Sequence, residues 1–132
     1  MRIIVDTSAL IAVVANEPSK PALVEATRGA SLIAPTSVHW EIGNAFSAML
    51  KRKRVRLNQV NKALDAYAEI PIRFVDVDLA EALEIAADLK IYAYDAYVLQ
   101  CARVHRCPVL TLDGGLVRAA EKLDLDVLEV PE

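Results

Sequence analysis

The sequence lacks the features that mark membrane-spanning and disulfide-stabilised proteins. Its 132 residues contain no apolar run of about 18 or more, so no transmembrane helix and no membrane association are predicted. Cys101 and Cys107 are too few for a disulfide framework, and we expect each to be a small core residue. Asp6 interrupts the N-terminal apolar run, so no signal peptide is predicted. We therefore expect one cytoplasmic domain spanning residues 1–132.

Positive charge is scarce except in one segment. The net charge is −3, which argues against bulk electrostatic binding to nucleic acid. The segment KRKRVR at 51–56 nevertheless holds five basic residues. It is interpreted either as a solvated helix end or as a patch in which Lys51, Arg52 and Arg54 contact phosphates.

Short apolar runs alternate with helical segments along the whole chain. Strands are predicted at RIIV, SLIAP, IRFVDV, PVLTL and DVLEV. The segments between them have helical spacing, for example Val38, Ile42 and Phe46 in TSVHWEIGNAFSAMLKRK. Such alternation predicts an α/β fold in which a mostly parallel sheet is covered by helices on both faces. No phosphate-binding glycine motif is present.

Four acidic residues occupy positions where a parallel sheet places functional groups. Asp6 and Asp113 each follow a predicted strand, and the carboxyl ends of parallel strands meet at one sheet edge. Glu41 and Asp95 lie within mostly apolar helical stretches. Three of them have a ready structural explanation, because Asp6 can cap a helix, Asp113 can form a turn with the following glycines, and Asp95 can interact favourably with a helix dipole. Glu41 is the hardest to explain in this way, because its neighbours are apolar.

A divalent cation is the simplest partner for converging carboxylates. Without one, like charges at close range repel and some of the groups are forced to protonate. Oxygen ligands suit Mg²⁺ or Mn²⁺, and the sequence has no zinc-type spacing of its histidines and cysteines. Such an ion activates water for attack on a phosphodiester.

Four segments of the chain resemble the acidic motifs of PIN-domain nucleases. They are IIVDTSALIA, EIGNAF, YDAYVLQCA and TLDGGL, and together they span nearly the whole chain. In length and in motif order the sequence resembles the VapC-type toxins of VapBC toxin–antitoxin systems.

The resemblance implies a three-layer α/β/α sandwich with a parallel five-stranded sheet of order 3-2-1-4-5. It implies a Mg²⁺- or Mn²⁺-dependent endoribonuclease with an RNA substrate, a VapB-type antitoxin as partner and a homodimeric state. The catalytic and metal-binding residues implied are Asp6, Glu41, Asp95 and Asp113. The residues expected beside them are Thr7, Ser8, Asn44 and Thr111, of which Thr111 matches the family's T-x-D motif.

Two other functions remain open from the sequence. One is a non-catalytic PIN-like module that binds RNA or protein. The other, ranked lower, is a haloacid dehalogenase-type phosphatase, which needs a second aspartate where the chain has Ser8.

Core packing is the default expectation for Trp40, and Asp76 is expected at the sheet edge away from the site.

Overall fold

The computed structural model describes residues 1–130. Four strands and seven helices follow one another along the chain in the order β1 (Arg2–Val5), α1 (Thr7–Val14), α2 (Lys20–Ala26), β2 (Ser31–Pro35), α3 (Ser37–Lys51), α4 (Leu57–Ala68), β3 (Ile72–Val75), α5 (Leu79–Leu89), α6 (Ala93–His105), β4 (Val109–Leu110) and α7 (Gly114–Lys122). Four of the five predicted strands and helices between them are present, and no helix within residues 1–130 is both long and apolar enough to cross a membrane.

The four strands form one parallel sheet of order β3-β2-β1-β4. Its register pairs Ile3 with Leu32 and Val5 with Leu110. Because every connection is a crossover through helices, all four strands end at the same edge. The predicted α/β class and the order of the first four strands are confirmed.

The expected fifth strand is reduced to a single bridge. Val127 pairs in parallel with Val109, whose N–H donates to the Asp126 carbonyl at 2.9 Å and whose carbonyl accepts from Leu128 N–H at 2.9 Å. Since β4 has only two residues, the segment around Val127 pairs with it through a single residue, Val109. The sheet described therefore has four strands where five were expected.

The core lies along the central strand and helix α6. Ile3, Ile4 and Val5 are buried, as expected of a strand covered on both faces. Helix α6 packs against β1, β2 and β4, and Leu99 on this helix is fully buried. Cys101 is a buried free thiol whose pKa is raised to about 12 by burial, which agrees with the prediction of a core cysteine.

We expect Leu99→Ala to lower the free energy of unfolding by about 2–5 kcal/mol, because it leaves a cavity where α6 meets the sheet. Leu57→Ala is the matched control, since Leu57 is 62% exposed and its loss is expected to cost less than about 1 kcal/mol. Urea unfolding followed by circular dichroism measures both. Equal losses would contradict this placement of the core.

Candidate active site

The predicted carboxylates come together in one cleft at the carboxyl edge of the sheet. Asp6, Glu41, Asp95 and Asp113 all line a depression of about 420 Å³. They are contributed by the end of β1, helix α3, helix α6 and the segment after β4. Residues far apart in sequence thus share one surface because the parallel strands all end there.

Asp6 is the most constrained of the four acids. It is 7% exposed and caps α1, accepting a hydrogen bond from Ala9 N–H at 3.2 Å. The Ser8 hydroxyl donates to one carboxylate oxygen at 2.7 Å, and the Thr111 hydroxyl donates to the other at 2.6 Å. Both carboxylate oxygens are therefore held in place by neighbours.

Asp113 is exposed, unlike the other three predicted acids. It caps α7 by accepting from Gly115 N–H at 2.8 Å and Leu116 N–H at 3.4 Å. Its own N–H donates to the Thr111 hydroxyl oxygen at 3.0 Å. Thr111 thus links the backbone of Asp113 to the carboxylate of Asp6. The capping explanation therefore holds for both Asp6 and Asp113.

Glu41 on α3 and Asp95 on α6 are the two acids that helices contribute to the cleft. Burial is the largest cause that raises the pKa of Glu41, to about 7, and the charges of Asp6 and Asp95 add to it. Burial also raises the pKa of Asp95, with smaller contributions from Asp113 and Asp6.

The cleft brings acidic side chains together without a cationic one among the described residues. Burial raises the pKa of Asp6 despite its hydrogen bonds, and no lysine, arginine or histidine of residues 1–130 lines the cleft. The buried hydroxyl oxygen of Thr7 has no hydrogen-bond partner among residues 1–130. Crowded carboxylates and an unpaired hydroxyl form a donor set suited to a hard divalent cation.

The carboxylates do not form a closed metal cage. Across the described part of the chain, no three histidine, cysteine, aspartate or glutamate side chains stand close enough to hold an ion by themselves. Mg²⁺ usually keeps several water ligands and is bound by one or two carboxylates. The donors fit an ion of this kind, provided that water supplies most of its shell.

Several predicted site residues lie outside the cleft. Asn44 is exposed and does not line it, whereas Ala45 does, because residues four apart on a helix share a face more closely than residues three apart. Helix α3 also carries its basic end away from the cleft. Lys51 is ten residues, or about 15 Å, from Glu41 along the helix axis, and Arg52 and Arg54 follow it.

Two residues are placed where the sequence did not suggest. Glu17 lines the cleft because Asn16 adopts a left-handed conformation after α1 and turns the chain back, so that Glu17 N–H donates to the Ala12 carbonyl at 2.9 Å. Only the asparagine, which tolerates this conformation, hints at it in the sequence. Trp40 is 74% exposed on α3, so its expected place in the core was wrong.

A family model described as PIN domain matches residues 3–122. No curated protein matches. The fold is similar to that of PAE2754 from Pyrobaculum aerophilum, with a TM-score of 0.70, 20% identity and coverage of 90% of this chain and 79% of that one. It is also similar to VapBC2 from Rickettsia felis bound to a DNA fragment from their promoter, with a TM-score of 0.68, 14% identity and coverage of 99% and 100%.

The raised pKa of Glu41 predicts a pH-dependent stability of the metal-free protein. Between about 4.5 and about 7 the folded state binds a proton at Glu41 that the unfolded state has lost, so stability is expected to fall as pH rises through this range. Glu41→Gln removes this contribution, and we expect it to flatten the dependence and raise Tm at pH 8.

The measurement is thermal unfolding in chelator from pH 4.5 to pH 8. Glu84→Gln, at an exposed position on α5, is the control and is expected to follow the unsubstituted chain. An unchanged pH profile in Glu41→Gln would show that this carboxyl is not crowded by its neighbours.

Proposed function

The chain belongs to the PIN domain family, and on that premise we propose that it is a metal-dependent endoribonuclease that hydrolyses RNA phosphodiester bonds. The observation that carries the proposal is the cleft in which carboxylates from four separate parts of the chain meet with no cationic side chain among them. A purely structural role does not explain why Glu41 is partly buried beside other acids at a cost in stability. Family membership removes the phosphatase alternative.

The residues that would hold Mg²⁺ or Mn²⁺ are Asp6, Glu41, Asp95 and Asp113. A bound divalent ion supplies two things, a water of lowered pKa and neutralisation of charge on the phosphate. Its binding would also lower the pKa values of the carboxylates that it contacts, which relieves their mutual repulsion.

The chain itself orients the Asp6 carboxylate and offsets part of the negative charge of the acids with helix dipoles. Ser8 and Thr111 fix both oxygens of Asp6, so this carboxylate points into the cleft without further ordering. Asp6 and Asp113 cap the N-termini of α1 and α7, and Asp95 lies in the first turn of α6. Three helix dipoles therefore direct their positive ends towards the acids and favour bound anionic phosphate.

We also propose that the protein is the toxin of a type II toxin–antitoxin pair, acts in the cytoplasm as a homodimer and is silenced by a VapB-type antitoxin. The motif order and the length support this assignment. So does the fold shared with the VapBC2 structure over 99% of this chain, although identity is only 14%.

Metal binding is expected to stabilise the protein through the acidic cleft. Saturating Mn²⁺ should raise Tm by several degrees, because it binds the folded state and relieves repulsion. Asp6→Asn should abolish most of that shift while preserving the helix cap, since asparagine caps as well as aspartate. Differential scanning calorimetry with and without Mn²⁺ measures it, and Asp65→Asn, exposed on α4, is the matched control. A full shift in Asp6→Asn would place the ion elsewhere.

Cleavage of RNA is expected to need both metal and Asp6. We expect the purified protein to convert total cellular RNA to discrete fragments in Mg²⁺ or Mn²⁺ and to leave it intact in chelator. Asp6→Asn should slow cleavage more than about 100-fold, beyond the 10–100-fold typical of outer-shell changes. Asp65→Asn should cleave at the unsubstituted rate. Equal cleavage by Asp6→Asn would contradict the proposal, as would metal-independent cleavage.

A further inference from the structure

A groove whose charge is opposite to that of the acidic cleft lies next to it. The groove has a volume of about 400 Å³ and is formed by the end of α1, the start of α2, helix α3 and helix α4. Lys20 and Lys62 line it, and no aspartate or glutamate of residues 1–130 does. We call this depression the lysine groove.

The lysine groove and the acidic cleft share a wall. At the turn after α1, Asn16 lines the groove and Glu17 lines the cleft. On α3, Phe46 lines the groove and Ala45 lines the cleft. Because consecutive residues line different depressions at both places, a chain bound in the cleft can continue directly into the groove.

Lys20 is held at this wall. Its ammonium donates to the Asn16 side-chain oxygen at 2.7 Å, and its N–H donates to the Glu17 carbonyl at 2.9 Å. An ammonium has three donors, so the bond to Asn16 leaves donors for a ligand. Within residues 1–130 the ion pair formed is that of Arg28 with Glu25, so no carboxylate there neutralises Lys20 or Lys62.

The other end of the groove reaches the basic segment 51–56. Val55 of this segment lines the groove, and Arg54 and Arg56 flank it in the chain. Arg54 N–H donates to the Met49 carbonyl at 2.9 Å, which turns the segment back onto α3. The lysine groove thus connects the acidic cleft with the cations that end α3, which are themselves distant from the cleft.

The groove exposes cationic groups more than apolar ones. Val14, Phe46 and Val60 in its floor are each 5% exposed or less, and Val55 is half-buried. Lys62, in contrast, is exposed on α4. A peptide anchored by apolar side chains finds little apolar surface there, whereas the phosphates of a nucleic acid find cations. These observations favour nucleic acid over a protein segment.

We propose that the lysine groove binds a strand of the RNA substrate beside the cleaved phosphodiester, with Lys20 and Lys62 contacting its phosphates. Helix α4 rises about 10 Å between Gln59 and Ala66, which both line the groove. Phosphates of a stacked strand are about 3.4 Å apart, so the groove spans about three of them. The inference rests on the proposed ribonuclease function and names the path along which an acidic protein holds RNA.

Binding measured at several salt concentrations tests the groove without cleavage. The probe is a fluorescently labelled single-stranded oligouridylate, and its anisotropy gives Kd for Asp6→Asn in chelator between about 50 and about 200 mM salt. Adding Lys62→Gln is expected to weaken binding severalfold at the lowest salt concentration. It should also make the slope of log Kd against log salt concentration shallower by about 0.7, because one phosphate contact is lost.

Two matched variants accompany this measurement. Lys62→Arg keeps the charge and should preserve both Kd and the slope. Lys122→Gln, exposed on α7 and outside the groove, should change neither. An unchanged Kd and an unchanged slope in Lys62→Gln, with its fold verified by circular dichroism, would overturn the proposal.

A polyglutamate peptide of equal charge distinguishes nucleic acid from an acidic protein segment. The peptide is expected to bind more weakly than the oligouridylate. Tighter binding of the peptide, lost in Lys62→Gln, would overturn the proposal in favour of a protein partner in the groove.

Steady-state cleavage separates this inference from the proposed function. Lys62→Gln is expected to raise KM severalfold and to keep kcat within about twofold, since it removes binding that the ground state and the transition state share. Cleavage that needs metal and Asp6 but has an unchanged KM in Lys62→Gln would overturn only the groove. If the unsubstituted protein cleaves no RNA, the nuclease proposal fails, and the salt dependence of binding still decides whether the groove holds RNA.

Discussion

The hydrogen bonds that Asp6 receives from Ser8 and Thr111 hold the carboxyl edge of the sheet together. Strands β1 and β4 pair through only two residue pairs, and backbone pairing ends as Asp6 N–H donates to the Leu110 carbonyl at 3.3 Å. Beyond that point side chains continue the link, since Leu112 N–H also donates to the Ser8 hydroxyl oxygen at 2.9 Å. The position of Asp113 relative to Asp6 depends on these few hydrogen bonds between the ends of β1 and β4. The shape of the acidic cleft in turn depends on the positions of both residues.

The same edge of the sheet brings acidic side chains together where burial makes their ionisation unfavourable. Burial raises the pKa values of Asp6, Glu41 and Asp95, so the surroundings of these carboxyl groups disfavour their ionisation. The helices that begin at this edge offset part of the cost with their N-terminal dipoles. Under the proposed function, a bound cation would relieve this crowding, so stability, metal binding and catalysis would all depend on the same carboxylates.

Sequence patterns were sufficient for four strands, for the helices and for the placement of the four acids in one cleft, because strand ends and helix starts are local properties that a parallel topology gathers at one edge. They were insufficient where the direction of a side chain decides whether it lines the cleft, or where the length of a strand decides how many residues pair with it. Asn44 and Ala45 differ by one helical step, yet only Ala45 faces the cleft. Glu17 enters it through a left-handed turn, and Val127 makes a bridge because β4 is short. Trp40 is a large apolar residue and was therefore expected in the core, but it is exposed because Val38, Ile42 and Phe46 occupy the inward positions of α3.

The exposure of Trp40 has a spectroscopic consequence. It is the only tryptophan in the chain, it is 74% exposed, and it precedes Glu41 on α3. The indole is hydrated in the native protein as it is in the unfolded chain, so its emission wavelength reports little about folding. Its quenching instead reports what approaches the solvent-exposed face of α3 on which the indole lies. Intrinsic fluorescence of this molecule is thus a proximity signal for ligands rather than a measure of its integrity.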